Sequence, residues 1–313
     1  MGIGGDGRVA RLLELSDTHS RVTVAPALGG GLTSFDAKLS VCLVPVLRNA
    51  KPGAEVFGLA SNILVPFSNR ISGGGFIFDQ AFHAVPCNID GQEFPIHGDA
   101  FLREWKVLAA TRTSATLSLP DGGIGPFRYA AELTYALENG TLLARARVIN
   151  TGPRLPFGGG FHPWFPRREG TGLAFDATHV WLEDARHLPT EQRPIEVAAD
   201  FDFRRLRALP RRWINNAYTG WRGSATVLQP DLGLSVKITA PDMGVAIVFS
   251  PDGDADFFCF EPVTHAVDAF NQQGMPGLRI LEPGAEMAME MRIAWRPETV
   301  GAAGMVPNSV WYN

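Results

Sequence analysis

Residues 257–271 read FFCFEPVTHAVDAFN. An aromatic and apolar run ends abruptly at Glu261, and Pro262 follows at once. A run of that kind fits a pleated, packed surface and reads as a buried strand. Proline has no N–H and a fixed φ, so the strand is expected to end there and leave the carboxylate at its mouth. A carboxylate beside so much apolar surface is costly to keep ionised unless partners are supplied. A salt-bridged or helix-capping Glu explains the local pattern equally well, so the rest of the chain must decide.

Working outward, 245–251 (VAIVFSP) reads as another buried strand, followed by a turn at Asp252-Gly253. The closing segment, GLRILEPGAEMAMEMRIAW, alternates Met287, Met289, Met291 and Ile293 with smaller or charged residues, as a strand does. Residues 106–150 and 170–240 alternate in the same way between turns, and no long amphipathic helix or repeat period is found. Asn69 and Arg70 fall on a loop between Pro66 and the glycine turn 73–75, where binding groups tend to sit. Arg70 offers a planar fork of donors suited to vicinal hydroxyls or a carboxylate; a turn Asn beside a surface Arg is the plainer alternative. Asp90-Gly91 reads as a hairpin turn, with His97-Gly98 on the loop after it. In GGGFHPWFPR, 158–167, glycines allow close backbone approach and Pro163 stiffens a loop carrying His162 and Trp164. An imidazole beside an indole suggests an apolar-walled cleft where a sugar ring can stack; a packed core histidine competes with that reading. Asn215 and Asn216 precede Tyr218 and Trp221.

Bulk properties bound the function. At 313 residues, 45% apolar with 34 Gly and 23 Pro, the chain is a turn-rich globular protein, long enough for a large core. A net charge of -4 provides no overall basic field for nucleic acid or an anionic membrane. The arginines at 204, 205, 207, 211 and 212 read as surface solvation before they read as an anion site. Cys42, Cys87 and Cys259 lack the spacing of a disulfide framework or a structural zinc site. The glycines at 29–31 lack the features of a nucleotide loop. With no apolar signal core and no run of membrane-spanning length, a cytoplasmic protein is expected, with a loosely held tail from about Glu298.

Five segments, in this order, resemble the aldose 1-epimerase (galactose mutarotase) family. They are PFSNRI at 66–71, FPIHG at 94–98 followed by REWKV, FHPWF at 161–165, INNAY at 214–218 and FCFEPVTHAVDAFN at 258–271. The closing LEPGAEMAMEMRIAW is similar to the family's final strand, and the likeness spans about residues 22–296. The resemblance implies one large antiparallel β-sandwich domain over 1–313, with a free monosaccharide on its concave face. It also implies cofactor-free interconversion of α and β anomers, with no metal. By position, Glu261 takes the general-base place and His162 the general-acid place. His97 matches a histidine near the sugar ring oxygen, Arg70 the sugar-binding arginine, and Asn69 belongs to the same motif. Asn215 stands where the family often has Asp, which puts hydroxyl preference in question, and Trp164 stands where tyrosine is frequent. His265 has no counterpart role.

Mutarotation needs one proton removed from the anomeric hydroxyl and one delivered to the ring oxygen. An ionised Glu261 is the natural base, and His162 the natural acid if a neighbouring carboxylate holds it protonated. A non-catalytic sugar-binding protein would keep Arg70 and the aromatic wall without needing Glu261 and His162 together. A metal-dependent isomerase using His97, His162 and Glu261 as ligands lacks closely spaced HxH or HxxxH pairs, and a glycosidase lacks its second carboxylate.

Overall fold

The computed structural model describes residues 11–40 and 42–298. Almost every regular element is a strand; the described residues hold no α-helix, only 3-10 turns of three residues each. Two large antiparallel sheets make a β-sandwich. The first sheet carries Gly31–Leu39, Ser61–Leu64, Gly160–Pro166, Phe257–Val263, Val245–Ser250, Ile214–Thr219 and His179–Glu183 side by side. The second is built around Thr141–Asn150 and Glu286–Pro297.

Strand alternation explains the core. On Phe257–Val263, Phe258 and Phe260 point one way into a cluster that also takes Met287, Met289, Met291 and Ile293 from the second sheet. Fully burying a side chain of that size contributes about 1.5–3 kcal/mol, so these alternating runs fix which face of the first sheet turns inward. The residues between them, Phe257, Cys259 and Glu261, point to the other face. A smaller apolar cluster of Leu64, Ala217, Val245, Ile247, Val263, Ala266 and Val267 fills one end of that face.

Several expectations need correction. Phe257–Val263 does not stop at Glu261 but runs on through Pro262, and the HPWF segment is a strand, Gly160–Pro166, rather than a loop. The ladder between these two strands pairs Gly160 with Val263 and then Trp164 with Cys259. Pro163 and Pro262 both fall in the stretch between those pairs, where their missing N–H groups leave no ladder donor unmet. The Asp90-Gly91 turn joins no two strands. Asn88 instead braces the loop, its amide donating to the carbonyls of Ile96 and Gly98 and its oxygen accepting from the Ile96 N–H. Most of the clustered arginines are tied to acids: Arg204 to Asp202 and Glu196, Arg211 to Asp254, Arg212 to Asp200. Apart from Glu298, the expected tail lies outside the described residues.

Candidate active site

Register brings the site together. Trp164 pairs with Cys259, Cys259 with Phe249, and Phe249 with Asn215, forming a row across four strands. One step deeper, Glu261 pairs with Ile247 and Ile247 with Ala217. The same count along the Gly160–Pro166 ladder sets His162 opposite Glu261. Directly opposed residues on neighbouring strands point to the same face, which is why two groups 99 positions apart meet. His162 Nε2 lies 3.4 Å from Glu261 Oε1, and both side chains are almost fully buried.

The remaining groups come from loops over this floor. Asn69 and His97, both at positive φ, hold each other. The His97 N–H donates to the Asn69 carbonyl and the Asn69 N–H donates to His97 Nδ1, each at 3.0 Å. Since Nδ1 accepts, neutral His97 carries its proton on Nε2. The Asn69 side-chain oxygen accepts from the Arg70 backbone N–H at 3.0 Å and from Arg70 Nη1 at 3.2 Å, aiming the guanidinium. Behind Arg70, the Asp268 N–H donates to the Arg70 carbonyl, and the Asp268 carboxylate accepts from the Ser72 N–H and hydroxyl. His265 gains a structural role: its Nε2 accepts from the Ser68 N–H at 3.1 Å and its Nδ1 bonds the Ala266 carbonyl.

All seven residues singled out from the sequence, Glu261, His162, Arg70, His97, Asn69, Asn215 and Trp164, line one cleft of about 570 Å³. That volume suits a small organic ligand. One side of the cleft is aromatic. Trp164 stacks on His162 at 3.9 Å between centroids, and the Arg48 guanidinium lies over both Trp164 and Phe257. Arg48 also donates to the carbonyls of Phe57 and Leu59 at 2.8 Å, tying the Phe57 turn to the same wall.

Burial drives the electrostatics. It pushes the Glu261 carboxyl up to about 8, with Arg70 opposing, and takes His162 down to about 3, with the Arg48 cation adding to the fall. His97 is held well below its ordinary value by burial, then by His162, Arg70 and His265. This differs from the expected imidazolium held by an ionised carboxylate: in the cleft both partners favour their neutral forms, because burial leaves neither charge solvated. A neutral Glu–His pair and its ion pair hold the same number of protons, so the same acid/base capacity is present in either form. Glu261 Oε2 is buried with no hydrogen-bond partner, which suits an atom kept for a ligand.

Sequence reading missed the far wall. Glu183 Oε2 accepts from Asn215 Nδ2 at 2.7 Å, and Glu183 Oε1 accepts from Trp213 Nε1 at 2.6 Å. His187 stacks on Trp213 at 4.9 Å and places Nδ1 3.2 Å from Glu183 Oε2. One amide donor of Asn215 is thus committed to a carboxylate on the neighbouring strand. At the rim Arg186 donates two bonds to the Glu93 carboxylate, closing the polar side of the mouth. Among the described residues one His/carboxylate group could hold a divalent cation: His97, His162 and Glu261, with ligand atoms within 4.8 Å of one another. Two nitrogens and an oxygen suit zinc or iron, but the same atoms are those an acid/base pair and a ring-oxygen donor would use. No helix among the described residues is long and apolar enough to cross a membrane.

A sequence model of the aldose 1-epimerase family matches residues 11–294. The uncharacterized protein YphB of Escherichia coli K12 is 33% identical over 264 residues, which is 80% of this chain and 89% of that one. A crystal structure of an Escherichia coli K12 protein provisionally named an aldose 1-epimerase superposes with a TM-score of 0.85 at 29% identity. It covers 92% of this chain and 99% of that one. A galactose mutarotase-like protein from Clostridium acetobutylicum has the same fold, with a TM-score of 0.78 at 17% identity over 91% of this chain and 95% of that one.

Proposed function

Since the chain belongs to the aldose 1-epimerase family, we propose that it interconverts the α and β anomers of a free neutral aldose such as galactose or glucose. The observation that supports this most is the His162–Glu261 pair, buried at 3.4 Å on the floor of a cleft whose walls are aromatic on one side and polar on the other. Arg70, aimed by Asn69, and Asn215 bind hydroxyls, while Trp164 offers a ring face. Glu261 takes the proton of the anomeric hydroxyl as His162 gives one to the ring oxygen, and the ring C–O bond breaks to leave the aldehyde. His97 Nε2–H donates a hydrogen bond toward the ring oxygen. Rotation about C1–C2 presents the other carbonyl face, the C5 hydroxyl adds to it, and both protons return. Each positioned group contributes about 10²–10⁴-fold. No electrons change hands, so the proton pair is sufficient chemistry.

Exchange NMR of wild-type protein with a panel of aldoses tests the reading. Anomer exchange well above the spontaneous rate is expected, and it should survive exhaustive EDTA treatment. Loss of the rate on chelation, with recovery on adding zinc or iron, would assign His97, His162 and Glu261 to a metal instead. Tight sugar binding without rate enhancement would make the protein a sugar-binding one.

A further inference from the structure

The outer face of the first sheet carries a second hollow, of about 400 Å³, that shares no lining residue with the catalytic cleft. Its floor is Trp181 with Gln192 and Thr219. Register sets Gln192 opposite Trp181, and the same count sets Trp181 opposite Ala217, in the row of Glu261 and Ile247. The segment 264–277 lies over this face, with Ala266 and Val267 packed among Leu64, Ala217, Val245 and Ile247. It lends Thr264, Ala266, Gln272 and Gly277 to the wall of the hollow.

No ionisable side chain lines this hollow, so an anion or a cation entering it would lose solvation without gaining a counter-charge. The polar groups are of another kind. Gln192 Nε2 donates to Thr219 Oγ1 at 2.8 Å, and Gln272 Nε2 donates to the Val267 carbonyl at 2.9 Å. Those bonds fix both amides. Among the described residues, the two amide oxygens and the Trp181 indole N–H make no protein hydrogen bond. A partly open indole face, one N–H donor and two acceptors suit a neutral ring that carries hydroxyls. The volume lies in the range of small-molecule sites.

The same segment holds the loop that carries Arg70. Between the residues that face the hollow stand His265, whose Nε2 accepts the Ser68 N–H, and Asp268, whose N–H donates to the Arg70 carbonyl. The Asp268 carboxylate also accepts from the Ser72 N–H and hydroxyl. Gln272 links the two sets through its bond to the Val267 carbonyl.

We propose that the hollow is a second, non-catalytic site for a neutral saccharide, and that filling it steadies the 264–277 segment and tightens sugar binding in the catalytic cleft. The regulatory half rests on the aldose-epimerase reading above; the binding half does not. The bound ring touches Trp181 and Gln272 together, so it favours the arrangement in which the segment is seated and the Arg70 loop is held. By linkage, sugar in the cleft tightens the second site by the same factor.

The probes are the methyl glycosides of glucose, galactose and mannose, which lack a free anomeric hydroxyl and are not turned over. Titrated calorimetrically into Arg70→Ala protein, whose cleft has lost its guanidinium, at least one is expected to bind in the millimolar range or tighter. Adding Trp181→Ala should weaken that binding at least about 5-fold. Gln192→Ala, on an exposed edge strand, should weaken it less and covers a Trp181 variant that folds poorly. In the Arg70→Ala protein the bound glycoside is expected to slow hydrogen exchange of the Ser68 and Asp268 amides by at least about 5-fold. As a single change, Trp181→Ala should raise the KM for free aldose about threefold, with kcat within about twofold. No binding up to about 0.1 M, or binding that both Trp181→Ala and Gln192→Ala leave intact, would overturn the site. Binding with unchanged exchange at Ser68 and Asp268 would overturn the coupling. Binding and slowed exchange in a wild type that turns over no aldose would support the site and remove the epimerase reading alone.

Discussion

Glu261 and His162 share one dissociable proton in excess of the bare carboxylate and neutral ring, and their setting decides over what pH range they keep it. With ordinary values of 4.5 and 6.5, an ionised Glu and a protonated His would coexist only in the narrow span between them. Burial moves the limits apart: the second proton goes on near 3 and the shared one comes off near 8. The singly protonated pair is the active form, so kcat/KM is expected to stay level through neutrality and fall about tenfold per pH unit above about 8. A pH profile peaking between 4.5 and 6.5 would show that the pair is solvated in the free enzyme. Asn215 poses a different residue-scale question. An Asp there would put a second carboxylate 2.7 Å from Glu183, and two such charges cannot both stay ionised. Asn215→Asp should therefore raise KM for hexoses about tenfold and shift the galactose-to-glucose ratio of kcat/KM. Adding Glu183→Gln restores a donor facing an acceptor with the ends exchanged, and KM should recover to within about threefold. An unchanged sugar ratio in both variants would mean this wall does not read the sugar.

At the scale of elements, the site depends on how tightly the loop carrying Arg70 is tied to the sheet. Gly158 permits that tie. A Cβ there would stand 2.3 Å from Cδ2 and 2.8 Å from Nε2 of His265, the atom that accepts the Ser68 N–H. Gly158→Ala is expected to lower stability by about 1–3 kcal/mol, since His265 must leave a packed position and Ser68 loses its acceptor. KM should rise with kcat less affected, because Arg70 moves with its loop while the His162–Glu261 pair stays on the strands. Thermal melts and steady-state kinetics measure both, and a wild-type KM in a destabilised variant would separate this tie from sugar binding. The paired prolines belong to the same scale. A proline in a central strand ordinarily argues against that strand. Here Pro163 and Pro262 both fall between the paired positions of one ladder, a placement that neither segment reveals when read alone.

Across the whole molecule, legibility follows the range of the signal. Alternation within single strands makes the sandwich readable, since Met287, Met289, Met291 and Ile293 state their face locally. Glu261 is readable because a lone carboxylate ends an apolar run. Glu183, Trp213 and Arg48 are not, because HVWLED, RRWINN and VLRNA look like ordinary strand ends, and only register and loop packing bring Trp213 to the cleft and set Glu183 and Arg48 behind its walls. The shifted proton affinities are equally hidden, being a property of burial and of Arg48 seen through the fold.

Holding a carboxyl in that interior costs stability at the scale of the whole chain. The folded-state value of Glu261 lies above its unfolded one, so the stability tied to this group is present below about 4.5 and lost as pH rises through about 8. Replacing the acid with its amide removes that loss together with the base. Glu261→Gln is therefore the most direct test, read for anomer exchange by NMR and for thermal unfolding at pH 9 on the same folded sample. The account predicts kcat lower by at least about 10²-fold, sugar affinity little changed, and a melting temperature above wild type by at least about 3 °C at that pH. A folded Glu261→Gln protein that exchanges anomers at near the wild-type rate would contradict it.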